Sequence, residues 1–249
     1  MISIPPGHEL YDARLHIEWA KKHLDSLKAS IAGYADAART PHVFEEEING
    51  ERRTVVSWPP PAPLDDWARI TADFARNLRA GLNFVAWQLA VKHVGDIHER
   101  TQFPIWSDKE DFKAKGRRQW RDILPAALDH IKYVQPYNRT ERPETDLLTL
   151  LRELSDKPNH RFLVKPRSST NLILSGATTF DFSLSNPVEV SSPMLGKSRD
   201  DNDLQPKATL IISIEIPRID PPRERDISVL NAIYQFVTDE VVPPFLSFF

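Results

Sequence analysis

The sequence predicts an α+β fold in which a helical bundle packs against a small, mainly antiparallel β-sheet, with a helix closing the C-terminus. The first 40 of the 249 residues carry apolar side chains at heptad spacing, and the stretch from 65 to 94 carries them at helical spacing. From His160 onward the apolar residues alternate in short runs, which is typical of strands. Because strands and helices are largely segregated along the chain, α+β is favoured over a doubly wound sheet.

The N-terminal part predicts two long helices separated by a hairpin. The first helix runs from Glu9 to about Ala38 and has one apolar seam, formed by Leu10, Ala13, Ile17, Ala20, Leu24, Leu27, Ile31 and Tyr34. A β-hairpin at 43–58 follows, because Asn49-Gly50 suits a type I′ turn. The second helix extends from about Asp65 to Val94, and the acidic residues at its start suit the helix dipole.

The rest of the chain predicts shorter elements. Helices are expected at about 108–133, with Pro125 starting the second of them, and at 144–155. The strongest strand is Ala208–Ile216, and Asp226 is expected to cap a last helix. We therefore predict one compact domain with two lobes. Residues 1–157 would form a mainly helical lobe with the hairpin, and 158–249 a β-rich lobe with the closing helix.

Composition excludes several classes of function. The chain has no cysteine, so disulfides, thiol catalysis and cysteine-ligated metals are excluded, and its eight glycines are too widely spaced for a dinucleotide or Walker A loop. No spacing of histidines or acidic residues suits a metal, so we predict neither a metal nor a cofactor. The chain lacks a signal-peptide pattern and any apolar run of about 20 residues, which predicts a cytoplasmic protein without a membrane contact.

The most distinctive stretch is N-L-R-A-G-L-N-F-V-A-W-Q-L-A, at 77–90. It is followed by Phe103-Pro104-Ile105, Gln135-Pro136-Tyr137 and the run D-K-P-N-H-R at 156–161. In this order the four stretches resemble an uncharacterised bacterial protein family that carries an N-L-R-x-A-L-D-H helix motif. That motif is in turn distantly similar to the Arg/His motif of HEPN proteins, many of which cut RNA.

The HEPN resemblance implies that Arg79 would hold a phosphate and that a histidine five residues later would transfer a proton. Phe84 occupies that histidine position here and Asn83 the preceding acidic position, so the motif is degenerate. Because a phenyl ring transfers no proton, activity would need a relocated base, for which His160 and His130 are the candidates. Without such a base, Arg79 and the binding candidate Asn83 would be buried polar residues that stabilise the fold.

Two clusters are further candidates for binding. Asp156, Lys157, His160 and Arg161 form a set that suits a phosphate, although a helix-to-strand corner is the favoured interpretation of these residues. Five cations fall within nine residues that also contain Trp120, and these are Lys113, Lys115, Arg117, Arg118 and Arg121. Such a cationic stretch suits nucleic-acid phosphates or an acidic partner, but the flanking acidic residues favour a solvated surface.

The leading hypothesis is a non-enzymatic binding or assembly module, accessory to a defence or mobile-element system. Its partner would be an unknown protein or a second copy in a homodimer, with nucleic acid as the less favoured choice. The absent enzyme signatures, the degenerate Arg/His motif and the long apolar seam support it. The alternative is a HEPN-like, metal-independent ribonuclease.

Overall fold

The computed structural model describes residues 4–38, 42–48, 51–57, 62–95, 99–156, 166–174, 178–183, 207–216 and 223–249. Side chains are described in 4–37, 62–95, 99–156 and 227–249. Several predicted features lie outside these ranges, namely the turn at Asn49-Gly50 and the candidates Lys157, His160 and Arg161.

Two long helices pack closely in the described part. Helix α1 spans Tyr11–Ala38 and α2 spans Leu64–Val94. The predicted seam of α1 is buried up to Leu27, but Ile31 beyond it is only half-buried. The helices meet at Gly81, where a Cβ would lie 2.9 Å from Ile17 Cγ1. A glycine is therefore required at this crossing.

Short helices connected by tight turns follow α2. They are α3 (Lys109–Ala114), α4 (Arg117–Trp120), α5 (Pro125–Tyr133), α6 (Pro136–Arg139), a 3₁₀ turn (Pro143–Thr145) and α7 (Leu147–Ser155). Aspartates cap two of them, since Asp108 accepts a hydrogen bond from the Asp111 N–H at 2.7 Å and Asp146 accepts one from the Leu148 N–H at 2.8 Å. Pro125 is the first residue of α5, as predicted.

The C-terminal segment is helical with a local change of pitch. Helix α8 (Ser228–Phe236) continues into a π-helical turn (Val237–Val241) and a 3₁₀ turn (Pro243–Phe248). Ile227 occupies the N-cap, so the prediction that Asp226 caps this helix is wrong. Four apolar residues at helical spacing are buried in this segment, and these are Leu230, Ile233, Val237 and Val241.

Six strands are described by their backbone. β1 (His42–Ile48) and β2 (Glu51–Ser57) pair antiparallel, with Val43 opposite Val56. The others are β3 (Pro166–Leu174), β4 (Thr178–Ser183), β5 (Lys207–Ile216) and β6 (Arg223–Asp226), in the order β4-β3-β5-β6. β3 and β4 pair antiparallel, with Leu172 opposite Phe180.

The prediction of an α+β fold is wrong for the part of the chain described with its side chains. Helices account for 76% of these residues, and no strand lies among them. The prediction gave the alternating pattern after His160 the same weight as the helices. The buried apolar side chains of the described part belong instead to helices and to the loops between them, so its core is helix against helix.

The chain divides into two compact units, neither of which is continuous in sequence. The first comprises Met1–Leu27, Asp65–Lys165 and Ile214–Phe249, so the C-terminal helix belongs with most of α2. The second comprises Lys28–Leu64 and Pro166–Ser213. Among the described residues, every helix is too short or too polar to cross a bilayer.

Candidate functional site

Arg79 lies in the middle of α2 with its side chain turned into the protein. It is 8% exposed, and among the described residues its buried Nη1 has no hydrogen-bond partner. Burial lowers the pKa of this guanidinium from its usual value to about 10; the Asp156 carboxylate acts in the opposite direction, and the charge of Arg152 lowers the pKa further. Arg79 is therefore still charged at neutral pH, although it is largely removed from water.

Asn83, one turn further along α2, is already engaged. Its Oδ1 accepts a hydrogen bond from the Phe103 N–H at 3.1 Å. Gln135 is fully buried and holds the same segment: its Nε2 donates to the Pro104 carbonyl, and its Oε1 accepts from the Trp106 N–H, each at 2.9 Å. The structure thus brings three of the four distinctive stretches together, around a segment without regular secondary structure.

A third side chain completes this arrangement from α7. Arg152 Nη1 donates to the Ile105 carbonyl at 2.8 Å. Because Asn83, Gln135 and Arg152 all bind main-chain groups, their polar atoms satisfy the backbone of a buried loop, as buried peptide groups require. These hydrogen bonds give Asn83, Gln135 and Arg152 a structural role in holding the loop.

Phe84, which occupies the position of the HEPN histidine, is part of an aromatic stack. Phe84 stacks on His16 of α1, with ring centroids 5.1 Å apart and an interplanar angle of 23°. His16 Nδ1 lies 3.3 Å from Asn77 Oδ1. An imidazole therefore does reach this position, but from another helix. His16 was not among the predicted site residues, although its place directly before Ile17 of the buried seam indicates the edge of a helix contact.

Arg79 and Phe84 do not face a common site. Residues five apart on a helix are separated by about 140° around its axis. Accordingly, Arg79 is buried, whereas Phe84 lines an open cleft. No described imidazole is among the charged groups that influence Arg79, which are Asp156 and Arg152.

Of the two candidate relocated bases, only His130 is described. Its Nε2 lies 3.1 Å from the Val241 carbonyl, and its ring meets Phe245 edge to face at 4.9 Å. His130 therefore packs against the C-terminal segment. Of the second cluster, Asp156 is described and is exposed at the C-cap of α7.

The basic stretch is mostly neutralised by its neighbours. Lys113 pairs with Glu110, Lys115 with Asp111, and Arg121 with Asp122, at 2.7–3.4 Å. Exposed pairs of this kind contribute about 0–1 kcal/mol each to stability. Arg117 and Arg118 are exposed and form no ion pair with any described residue.

Two clefts adjoin beside α2. The polar cleft, about 620 Å³, is lined by Asn83, Glu99, Arg100, Thr101, Gln102, Arg118 and Gln119. The apolar cleft, about 420 Å³, is lined by Ala80, Asn83, Phe84, Trp87 and Thr101. Because Asn83 and Thr101 line both clefts, the aromatic side of the apolar cleft adjoins the charged side of the polar cleft. The sequence singled out Asn83 and Arg118 but missed Trp87 as a surface residue.

No protein-family model, no curated protein and no solved structure matches this chain. The resemblance to a bacterial family stays a prediction that rests on the four motif stretches.

Proposed function

We propose that this protein is a non-enzymatic binding module whose contact surface is one apolar, partly exposed stripe of α2. This stripe, here called the α2 face, consists of Ala80, Phe84, Trp87, Val91 and Val94. The observation that carries the proposal is the exposure of Trp87, whose side chain forms a wall of the apolar cleft while 43% of the residue remains in water.

The spacing of the α2 face is that of a contact surface. Its members are separated by four, three, four and three residues, so they lie on one side of the helix. Val91 and Val94 are exposed as well as Trp87, which extends the apolar surface to the end of α2. A contiguous exposed apolar patch of this kind marks an interaction site in a folded protein, and tryptophan is among the residues that contribute most to binding.

The polar groups around the motif stretches support binding rather than catalysis. Asn83, Gln135 and Arg152 are hydrogen-bonded to the backbone, and His16 and Phe84 are stacked on each other. General acid–base catalysis needs a titratable group within reach of a substrate proton. Arg79 is not among the described residues that line either cleft, so the motif arginine shares neither cleft with a general acid or base.

Photo-crosslinking tests the proposal. A benzoylphenylalanine replaces Trp87 in the full chain, and the cells that express it are irradiated. We expect a covalent adduct of higher mass from position 87. The control replaces Tyr133, which is 71% exposed on α5 outside the α2 face, and we expect no adduct there. If position 87 gives no more adduct than position 133, the α2 face is not a binding surface.

A further inference from the structure

We infer that the polar cleft and the apolar cleft together bind a small molecule that carries an aromatic ring beside a carboxylate. This inference goes beyond the proposed contact surface, because it assigns a ligand of stated chemistry to the two clefts that adjoin the α2 face. Two observations carry it: side-chain amides in the polar cleft whose orientation leaves hydrogen-bond donors free, and an aromatic wall directly beside them.

Two side-chain amides of the polar cleft are held in one orientation by donors from the protein. Asn83 Oδ1 accepts a hydrogen bond from the Phe103 N–H at 3.1 Å, and Gln119 Oε1 accepts one from Trp106 Nε1 at 2.8 Å. Because the amide oxygen must face such a donor, the NH₂ group is the end that remains. Neither NH₂ group has a partner among the described residues, and both side chains are partly exposed where they line the cleft. The cleft therefore offers donors that suit the acceptor atoms of a ligand.

The charges of the polar cleft favour a ligand with a single negative charge. Arg100 and Arg118 line the cleft together with Glu99, so two guanidiniums outnumber one carboxylate and the excess charge is positive. Arg118 is exposed and forms no ion pair with a described residue. A carboxylate balances one positive charge and accepts hydrogen bonds from a guanidinium and from amide NH₂ groups. A phosphate dianion carries more charge than this excess, and the Glu99 carboxylate repels it more strongly.

The apolar cleft takes the aromatic part of the ligand. Phe84 and Trp87 line this cleft, which meets the polar cleft at Asn83 and Thr101. An aromatic ring packs on the Trp87 indole in an offset or edge-to-face arrangement. The volumes of the clefts, about 620 and 420 Å³, lie in the range of small-molecule sites. A ring and a carboxylate on one molecule therefore use both clefts at once.

Fluorine NMR of the full chain with N-acetyl-4-fluorophenylalanine tests the inference. This probe joins an aromatic ring to a carboxylate, and for a molecule of its size in an open cleft we expect a Kd of about 1 mM. The primary amide of the same probe keeps the ring but lacks the charge, and it should bind about tenfold more weakly or less. 4-Fluorophenyl phosphate should also bind more weakly than the acid, because of the Glu99 charge.

Three variants change the polar cleft and keep its internal hydrogen bonds. Gln119→Glu retains an oxygen that accepts from Trp106 Nε1 but replaces the free NH₂ by a charged oxygen, so it should abolish binding of the acid. Arg118→Ala should weaken binding about fivefold. Glu99→Gln removes a repulsive charge and should tighten binding about twofold. Arg117→Ala is the matched control, because Arg117 is exposed and is not among the described residues that line the cleft, and it should leave the Kd unchanged.

Circular dichroism of each variant shows whether the fold is retained. Equal binding of the acid and its amide, or equal effects of Arg118→Ala and Arg117→Ala, would overturn the inference. A tetrapeptide that ends in the same fluorinated residue and binds at least tenfold more tightly would assign the clefts to the C-terminus of a partner chain and overturn the small-molecule ligand. The crosslink from position 87 separates the two proposals. An adduct there without binding of the acid leaves the contact surface standing alone, and if neither is observed both fail.

Discussion

Replacing Arg79 by methionine should stabilise the protein. The guanidinium is 8% exposed, and its buried Nη1 has no hydrogen-bond partner among the described residues. Methionine retains an unbranched apolar stem but carries no charge. Substitutions that remove a poorly compensated buried charge and keep apolar packing are often neutral or stabilising.

The magnitude follows from the pKa of Arg79. Burial lowers this pKa to about 10, well below the usual value for arginine. At 1.36 kcal/mol per pKa unit, keeping the charge inside the fold at neutral pH costs about 3 kcal/mol. The cavity left by the guanidinium lowers this stabilisation by about 1 kcal/mol, because methionine fills only part of the space. The net gain of about 2 kcal/mol should raise Tm by about 4–8 °C in a chain of this size.

The pH dependence has a defined sign. Because the folded-state pKa is depressed, the folded state binds fewer protons than the unfolded state above about pH 10, and only there does the penalty fall as pH rises. Below pH 10 Arg79 is charged in both states and the full penalty is present. The Tm difference between Arg79→Met and the parent should therefore be equal at pH 6 and pH 8.

Differential scanning calorimetry at these two pH values measures the difference. Arg76→Met is the control, because Arg76 is an exposed residue three positions earlier on α2 whose ion-pair partner among the described residues is Asp73, and its loss should change stability by no more than about 0.5 kcal/mol. Arg79→Lys retains the charge and should give no gain. A Tm lowered by Arg79→Met would refute the reasoning and show that the guanidinium is held by an anion.

Three further predictions follow from the packing and the motif. Gly81→Ala should destabilise the protein by about 1–3 kcal/mol in urea unfolding, because its Cβ would lie 2.9 Å from Ile17 Cγ1. Gly33→Ala, at a position in α1 with open space around it, should stabilise the protein by up to about 1 kcal/mol. Equal effects of the two substitutions would contradict the close contact between α1 and α2 at Gly81. Gln135→Leu should lower stability by about 2–3 kcal/mol in the same assay, because it strands buried main-chain groups on the loop it holds. Single-stranded RNA should be cleaved no faster by the parent than by Arg79→Ala, and a rate that falls on this substitution would favour the ribonuclease alternative.

The long helices could be predicted because their evidence is local. The heptads of α1 place Leu10, Ile17 and Leu24 on one side, and all three are buried. The fourth heptad failed: Ile31 is half-buried and lies beyond Leu27, where the first compact unit ends its N-terminal segment. Periodicity defines which side of a helix is apolar, but it does not reveal how far the neighbouring element extends.

The candidate site was harder to predict because its partners are distant in sequence and are mostly backbone. Asn83 was selected as a binding residue from a degenerate motif, and its observed partner is the N–H of Phe103, twenty residues away. A main-chain donor carries no signal in the sequence. His16 was missed for a related reason, since its contact with Phe84 arises only when α1 and α2 cross.

Two residues within the distinctive stretch at 77–90 are exceptions to the rule that charged side chains are exposed and large apolar side chains are buried. Arg79 is a buried charge whose Nη1 donates no hydrogen bond to a described residue, and Trp87, eight residues later, is a large apolar side chain in water. Both arrangements cost free energy in the isolated chain, and such local inconsistencies are where function is expected. The effects of these two residues can be distinguished by substitution. Trp87→Glu should remove binding and change stability little. Arg79→Met should raise stability without affecting binding, because Arg79 is not among the described residues that line either cleft. If Arg79→Met also abolished binding, the buried guanidinium and the α2 face would belong to one site.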